Sequence, residues 1–151
     1  GEGRITERLV ERFPAADVVG LDLVDGDLAD EWARLDVPMF FGDVTSLPFP
    51  DRSIDLVVGL EVLEHVPHPR RALDEIARVC AGTAVLSVPR EPIWRAGNMA
   101  RGRYLRELGN TPGHVNHWSA NGFERLVGER LDVVRTSRPL PWTMVRATPR
   151  T

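Results

Sequence analysis

The chain has 151 residues, 42% hydrophobic and 27% charged, which is enough for one sizeable core and too little bias for a disordered chain. A net charge of −3, with 19 basic residues that are all Arg, argues against a general nucleic-acid binder. The single Cys80 excludes an internal disulfide framework and fits a reducing, cytoplasmic setting, and no apolar stretch approaches the ~18 residues of a membrane span.

The opening "GEGRITERLVERF" sets Ile5, Leu9 and Phe13 at i, i+4 and i+8, with Val10 widening the stripe, and predicts a helix. "ADVVGLDL" (16–23) reads as a buried strand, and "DGDLADEWARL" (25–35) as a short helix whose acidic first turn suits the helix dipole. "VPMFFGD" (37–43) is another short apolar run, closing on Asp43, and "TSLPFPDRS" is loop. "IDLVVGL" (54–60) is the strongest strand signal in the chain. Pro67 and Pro69 then open a helix through Cys80, with Leu73, Ile76, Ala77 and Cys80 on one face; Arg71–Glu75 and Asp74–Arg78 form i, i+4 pairs outside. "TAVLSVP" (83–89) is a strand stopped by Pro89.

Beyond residue 90 the rhythm changes. Residues 91–108 read as a basic helix and 109–119 as a loop; Ser119 caps a helix over 120–129. Two closing strands flank "PLP". Strands alternating with helices predict an α/β fold with a mostly parallel sheet, covered by helices on both faces, in a single domain over 1–151. Ligands of such sheets bind outside the carboxyl ends of the strands. Asp22, Asp43 and Glu61 fall at three successive strand ends, behind a glycine pair that opens the first helix. Carboxylates placed so accept hydrogen bonds from ribose hydroxyls, which points to a nucleoside site.

The ordered series GEG, "VVGLDL", "GDVTSLPFPDRSIDLVVGLEVLEHVPHPRRALDEIARV" and "AVLSVP" resembles the class I S-adenosylmethionine-dependent methyltransferases. More narrowly, it resembles the small-molecule group that includes the quinone-biosynthesis enzymes. The likeness covers roughly residues 1–89 and implies a Rossmann-like fold with a C-terminal antiparallel strand. It also implies S-adenosylmethionine as cofactor. By it, Gly1 and Gly3 are the tail of the glycine loop, Asp22 holds the ribose hydroxyls and Leu23 lies against the adenine. Asp43 accepts from the adenine amino group and Val44 packs on that ring, while Leu60 and Glu61 line the pocket below the sulfonium. The family's first strand and the opening glycine of its loop are missing, so an N-terminally truncated fragment that binds cofactor poorly is expected.

The stretch "EVLEH" permits a second reading. If the chain turns helical after Leu60, Glu61, Glu64 and His65 share a face at metal-ligand spacing. With His117 they resemble the ligand set of metal-dependent RNA 3′-end 2′-O-methyltransferases, and Arg90, Arg95, Arg101, Arg103 and Arg106 would then track phosphates. In small-molecule relatives the same motif orders the loop over the cofactor. That reading is preferred, with no metal assigned and no nucleic acid as partner. A non-catalytic scaffold domain is the further alternative. His114 and His117 sit where this fold builds its substrate lid, over 90–119. Loop structure is the first role for either, and His117, beside Trp118, is preferred as general base. Trp94, Met99 and Trp142 are first of all core, and an apolar substrate pocket is their second reading. The function expected is in-line methyl transfer to a small-molecule acceptor, with His117 and Glu61 as catalytic residues.

Overall fold

A computed structural model describes residues 1–14, 16–24 and 26–150. They fall into two compact units, Gly1–Pro48 and Phe49–Thr151.

The first unit contains helix α1 (Arg4–Arg12), strand β1 (Gly20–Asp22), helix α2 (Gly26–Trp32) and strand β2 (Met39–Phe41). Asp25, where the acidic helix is expected to start, lies outside the described residues. The two strands pair in parallel, Gly20 opposite Met39 and Asp22 opposite Phe41. They are shorter than the apolar runs that contain them. Pro38 has no N–H with which to extend the ladder, and it enters only as an acceptor, from Gly20 N–H at 2.9 Å. Trp32 is buried in this unit and stacks on the exposed Phe41, ring centroids 4.5 Å apart, with the indole N–H donating to Gly1 O at 3.0 Å. No residue of α1 is buried, so its apolar stripe stays accessible in this chain.

The second unit begins with strand β3 (Ile54–Leu60), matching the predicted strand at both ends, followed by a single 3₁₀ turn over Leu63–His65. Helix α3 (Pro69–Val79) leads directly into strand β4 (Cys80–Pro89), and helix α4 (Ile93–Ala100) follows. Helix α5 (Ala120–Gly128) and strands β5 (Leu131–Ser137) and β6 (Trp142–Pro149) complete it. The strand order is β3-β4-β6-β5. β3 and β4 are parallel, while β6 is antiparallel to both β4 and β5. Three strands therefore run one way and the C-terminal one is reversed between two of them, as the sequence leads one to expect. Among the described residues, β1 pairs with β2 alone and β3 with β4 alone.

The core of this unit is made by periodicity. Ala72, Leu73, Ile76 and Val79 bury the inner face of α3, while Ala84, Leu86 and Val88 alternate along β4. Ala120, Phe123, Leu126 and Val127 of α5 complete it, together with Leu131, Val145 and Ala147. Ser119 caps α5 as expected, its hydroxyl accepting from Gly122 N–H at 3.2 Å. Outside this core, Arg78 forks onto Glu75 at 2.7 and 2.8 Å and also holds the 49–52 turn through Phe49 O and Asp51.

One expected element needs correction. The basic helix over 91–108 stops at Ala100, and residues 101–110 form successive turns. Gly102, Tyr104, Leu108 and Gly109 all take positive φ. Leu105 and Leu108, which a longer helix would need to bury, are 58% and 68% exposed. Without an apolar stripe to cover, propensity alone does not sustain further helical turns. Among the described residues, no helix is long and apolar enough to cross a membrane.

Candidate cofactor and lid site

Six of the expected site residues lie in the first unit. Asp22 ends β1, and its Oδ1 accepts from Leu23 N–H at 2.8 Å while the Gly1 amine lies against Oδ2. This half-exposed carboxylate stands at the strand end as a hydrogen-bond acceptor. Leu23 beside it is 61% exposed. Asp43 follows the adjacent strand, where Gly42 N–H reaches Asp22 O at 2.8 Å. Its Oδ1 accepts from Thr45 N–H at 2.7 Å, and Val44, half-buried, lies inside that turn. Gly3 caps α1 with φ 84°, and a side chain there would collide with Leu35. Its glycine is demanded by the backbone and by packing within the unit, whereas Gly1 has open space around it. The donor and acceptor chemistry of Asp22, Leu23 and Asp43 fits a nucleoside.

Leu60 and Glu61 stand in the second unit, at the carboxyl end of β3. Glu61 N–H still reaches Ser87 O at 3.0 Å, and then the backbone turns sharply, with φ 56° at Glu61. A non-glycine residue in the left-handed region costs about 1 kcal/mol or more, and such residues gather at functional sites. That turn also undoes the shared face expected for "EVLEH", because Glu61 precedes the 3₁₀ turn rather than lying on it. Glu64 is buried, at 1% exposure, while Glu61 and His65 are exposed.

The 109–119 loop is stapled over this turn. Glu64 O accepts from both Val115 N–H (2.9 Å) and Asn116 N–H (3.0 Å). The Asn116 amide donates to Leu63 O at 3.1 Å and Val66 O at 2.6 Å. From the other side, Trp94 Nε1 donates to Thr111 Oγ1 at 2.9 Å and buried Asn98 donates to Gly109 O at 2.9 Å. His117 is exposed, with Nε2 2.6 Å from Asn110 Oδ1 and 3.2 Å from an Arg95 nitrogen. An acceptor and a donor compete there for one nitrogen, so Nε2 either donates its proton to Asn110 or accepts from Arg95.

His114 is the buried histidine of the loop. Its ring packs edge-on to His65, with centroids 4.8 Å apart, and lies 6.2 Å from the ring of Trp94. Burial, with help from the charges of His65 and His117, holds its pKa down to about 4, so it is neutral at physiological pH. Burial likewise pushes the Glu64 carboxyl up to about 7, with a contribution from Glu61; its own backbone N–H pulls the other way without reaching hydrogen-bond geometry. The sequence ranks His117 above His114, and no periodicity in a loop reveals which of two histidines three residues apart turns inward.

The helices alternating with parallel strands, and the reversed C-terminal strand of the second unit, are those of a Rossmann-like α/β protein. The methyltransferase domain family matches residues 1–88. A trans-aconitate 2-methyltransferase of Methylobacterium nodulans is 39% identical over 89 residues, covering 58% of this chain and 34% of that protein. A demethylmenaquinone methyltransferase of Paenarthrobacter aurescens is 39% identical over 85 residues, covering 52% and 34%. The matched segment spans about a third of each curated relative. In fold, the chain resembles a solved complex of the Haloferax volcanii Trm112 methyltransferase activator with a methyltransferase, at TM-score 0.78, 18% identity, and 99% and 80% coverage. The chain belongs to the methyltransferase domain family, in its class I, S-adenosylmethionine-dependent form.

Proposed function

We propose that this chain carries out methyl transfer from S-adenosylmethionine to a small-molecule acceptor. Asp22 and Leu23 would bind the ribose and adenine, Asp43 and Val44 the adenine edge, and Leu60 and Glu61 the methionine end. The observation that carries the reading is Asp22, a carboxylate at the end of β1 whose Oδ1 takes the Leu23 N–H, with Asp43 placed in the same way after the adjacent strand. When bound, the cofactor supplies an electrophilic methyl group on a sulfonium, which an acceptor takes by in-line displacement. The chain's own work is then mostly alignment and exclusion of water. Residues 90–119 would serve as the lid, supported by the hydrogen bonds that tie the loop to the turn after β3. His117 would act as general base wherever the acceptor must lose a proton, with Arg95 and Asn110 fixing the ring. Glu61 would position the acceptor or the cofactor's amino group from its left-handed turn.

Calorimetric titration of S-adenosylhomocysteine into the chain tests this reading. Asp22→Ala should weaken binding by roughly 10- to 100-fold, the range for losing charged hydrogen bonds worth about 1.5–3 kcal/mol. Unchanged affinity in that variant would remove the assignment of Asp22 to the cofactor.

A further inference from the structure

We infer that Glu64, His65 and His114 form a binding site for a divalent transition-metal ion of the zinc type. The three side chains come from two segments, the turn after β3 and the 109–119 loop, with His65 and His114 49 positions apart in sequence. Each offers one ligand atom, and these atoms all lie within 4.8 Å of one another. An N₂O set of two imidazoles and one carboxylate suits zinc, cobalt or ferrous iron, and is wrong for magnesium or calcium, which take oxygen ligands.

Four further observations point to a cation. Glu64 is 1% exposed and no hydrogen-bond partner reaches either carboxylate oxygen, so its acceptor capacity is unspent in a place where water is excluded. His65 Nδ1 sits 3.0 Å from Gly113 O; a carbonyl can only accept, so Nδ1 carries the proton and Nε2 presents its lone pair. That is how histidine is oriented for a metal. Gly113, at φ 86°, lets the backbone come so near: a Cβ there would stand 3.3 Å from His65 Nδ1. Finally, His114 is buried, with its ring edge-on to that of His65 and the centroids 4.8 Å apart.

The arrangement is assembled but not closed. Bonds of about 2.0–2.1 Å in a tetrahedron put ligand atoms roughly 3.4 Å apart, so the side chains must draw in by about 1.4 Å at the widest pair. Exposed His65 marks the route of entry, and three protein ligands leave a position for water or another ligand. The ion would fasten the 109–119 loop to the end of β3, adding a side-chain clasp to the backbone one made through Glu64 O. The ligand set differs from the one the sequence offered: His114 replaces His117, and Glu61 is not part of it. This inference does not depend on the identity of the methyl acceptor.

The test is metal uptake by the chain after chelation and dialysis, using Zn²⁺ in competition with a chromophoric chelator and Co²⁺ absorption in the visible. One ion per chain is expected, with visible Co²⁺ bands of a low-coordinate nitrogen–oxygen site. Glu64→Gln, His65→Ala and His114→Ala should each weaken Zn²⁺ binding by at least about tenfold. His68→Ala and His117→Ala should leave it unchanged. His65 is exposed, so its variant should fold even if the buried ones do not, and circular dichroism checks each. Absence of stoichiometric uptake would overturn the site. So would uptake that His65→Ala leaves intact, or uptake that His117→Ala abolishes.

Discussion

The burial of Glu64 has a thermodynamic signature that can be read in metal-free protein. Its carboxyl titrates at about 7, against an ordinary 4.5, because burial removes water and Glu61 adds repulsion. Between those values the folded chain keeps a proton that the unfolded chain has released. The unfolded state then binds fewer protons, so stability falls as pH rises through this window and levels off above it. At 1.36 kcal/mol per pH unit the full effect is roughly 3 kcal/mol. Glu64→Gln removes the titration while keeping the shape. The variant's stability relative to wild type should therefore climb by up to about 3 kcal/mol between pH 4.5 and 8. The constant cost of a buried amide shifts the whole curve without changing that slope. His114 titrates in both proteins and acts oppositely, since stability is lost as pH falls from 6.5 towards its depressed value of about 4. Taking the difference between variant and wild type largely cancels it, and His65 and His117, the other charges facing it, remain in both. Urea unfolding followed by tryptophan fluorescence in excess chelator measures the difference. Parallel stability curves for the two proteins over this range would show that Glu64 is solvated or partnered, and the reasoning from burial would fail.

Two further outcomes follow from packing and backbone geometry. Phe123 is fully buried beneath the sheet of the second unit, so Phe123→Ala should destabilise that unit by about 3–5 kcal/mol in denaturant unfolding, and a loss below about 1 kcal/mol would contradict its place in the core. Glu61→Gly relieves a left-handed backbone and should leave stability level or slightly raised, while S-adenosylhomocysteine affinity drops; lost stability would mean that the Glu61 side chain supports the fold.

What could be read from the sequence was set by periodicity and ran out where local backbone choices took over. β3 matches its predicted bounds because its apolar, partly β-branched run is isolated between a polar loop and Glu61. β4 begins three residues earlier than its apolar run, at Cys80, because α3 passes into it with no loop. Gly82, which looks like a strand breaker, is where β4 comes so close to β3 that a Cβ would stand 2.6 Å from Asp55 O. Residues 91–108 read as one helix because arginine and leucine have good propensity, and propensity says nothing about whether an apolar face finds a partner. The carboxylates at strand ends were legible because strand ends are. His114 was not, since burying one loop histidine and exposing its neighbour depends on a carbonyl, Glu64 O, that no sequence pattern announces.

The left-handed turn at Glu61 and the buried carboxylate of Glu64 are two consequences of one local event. β3 must stop where its ladder with β4 ends, and the chain must reverse without a glycine. Glu61 takes that strain at the strand end, which leaves its own side chain in solvent and puts Val62 at the head of a single 3₁₀ turn. Three residues per turn then point Leu63 and Glu64 inward together and His65 outward. A leucine is at home there; a glutamate is not, unless something occupies its oxygens. The carbonyl of Glu64 holds the 109–119 loop, so the segment cannot unwind to release the side chain without also releasing residues 115 and 116. Substituting Glu61 by glycine would ease the turn and leave this constraint in place, whereas substituting Glu64 would leave the strained turn and remove its buried carboxyl. The two variants therefore separate a role at the strand end from a role beneath the 109–119 loop.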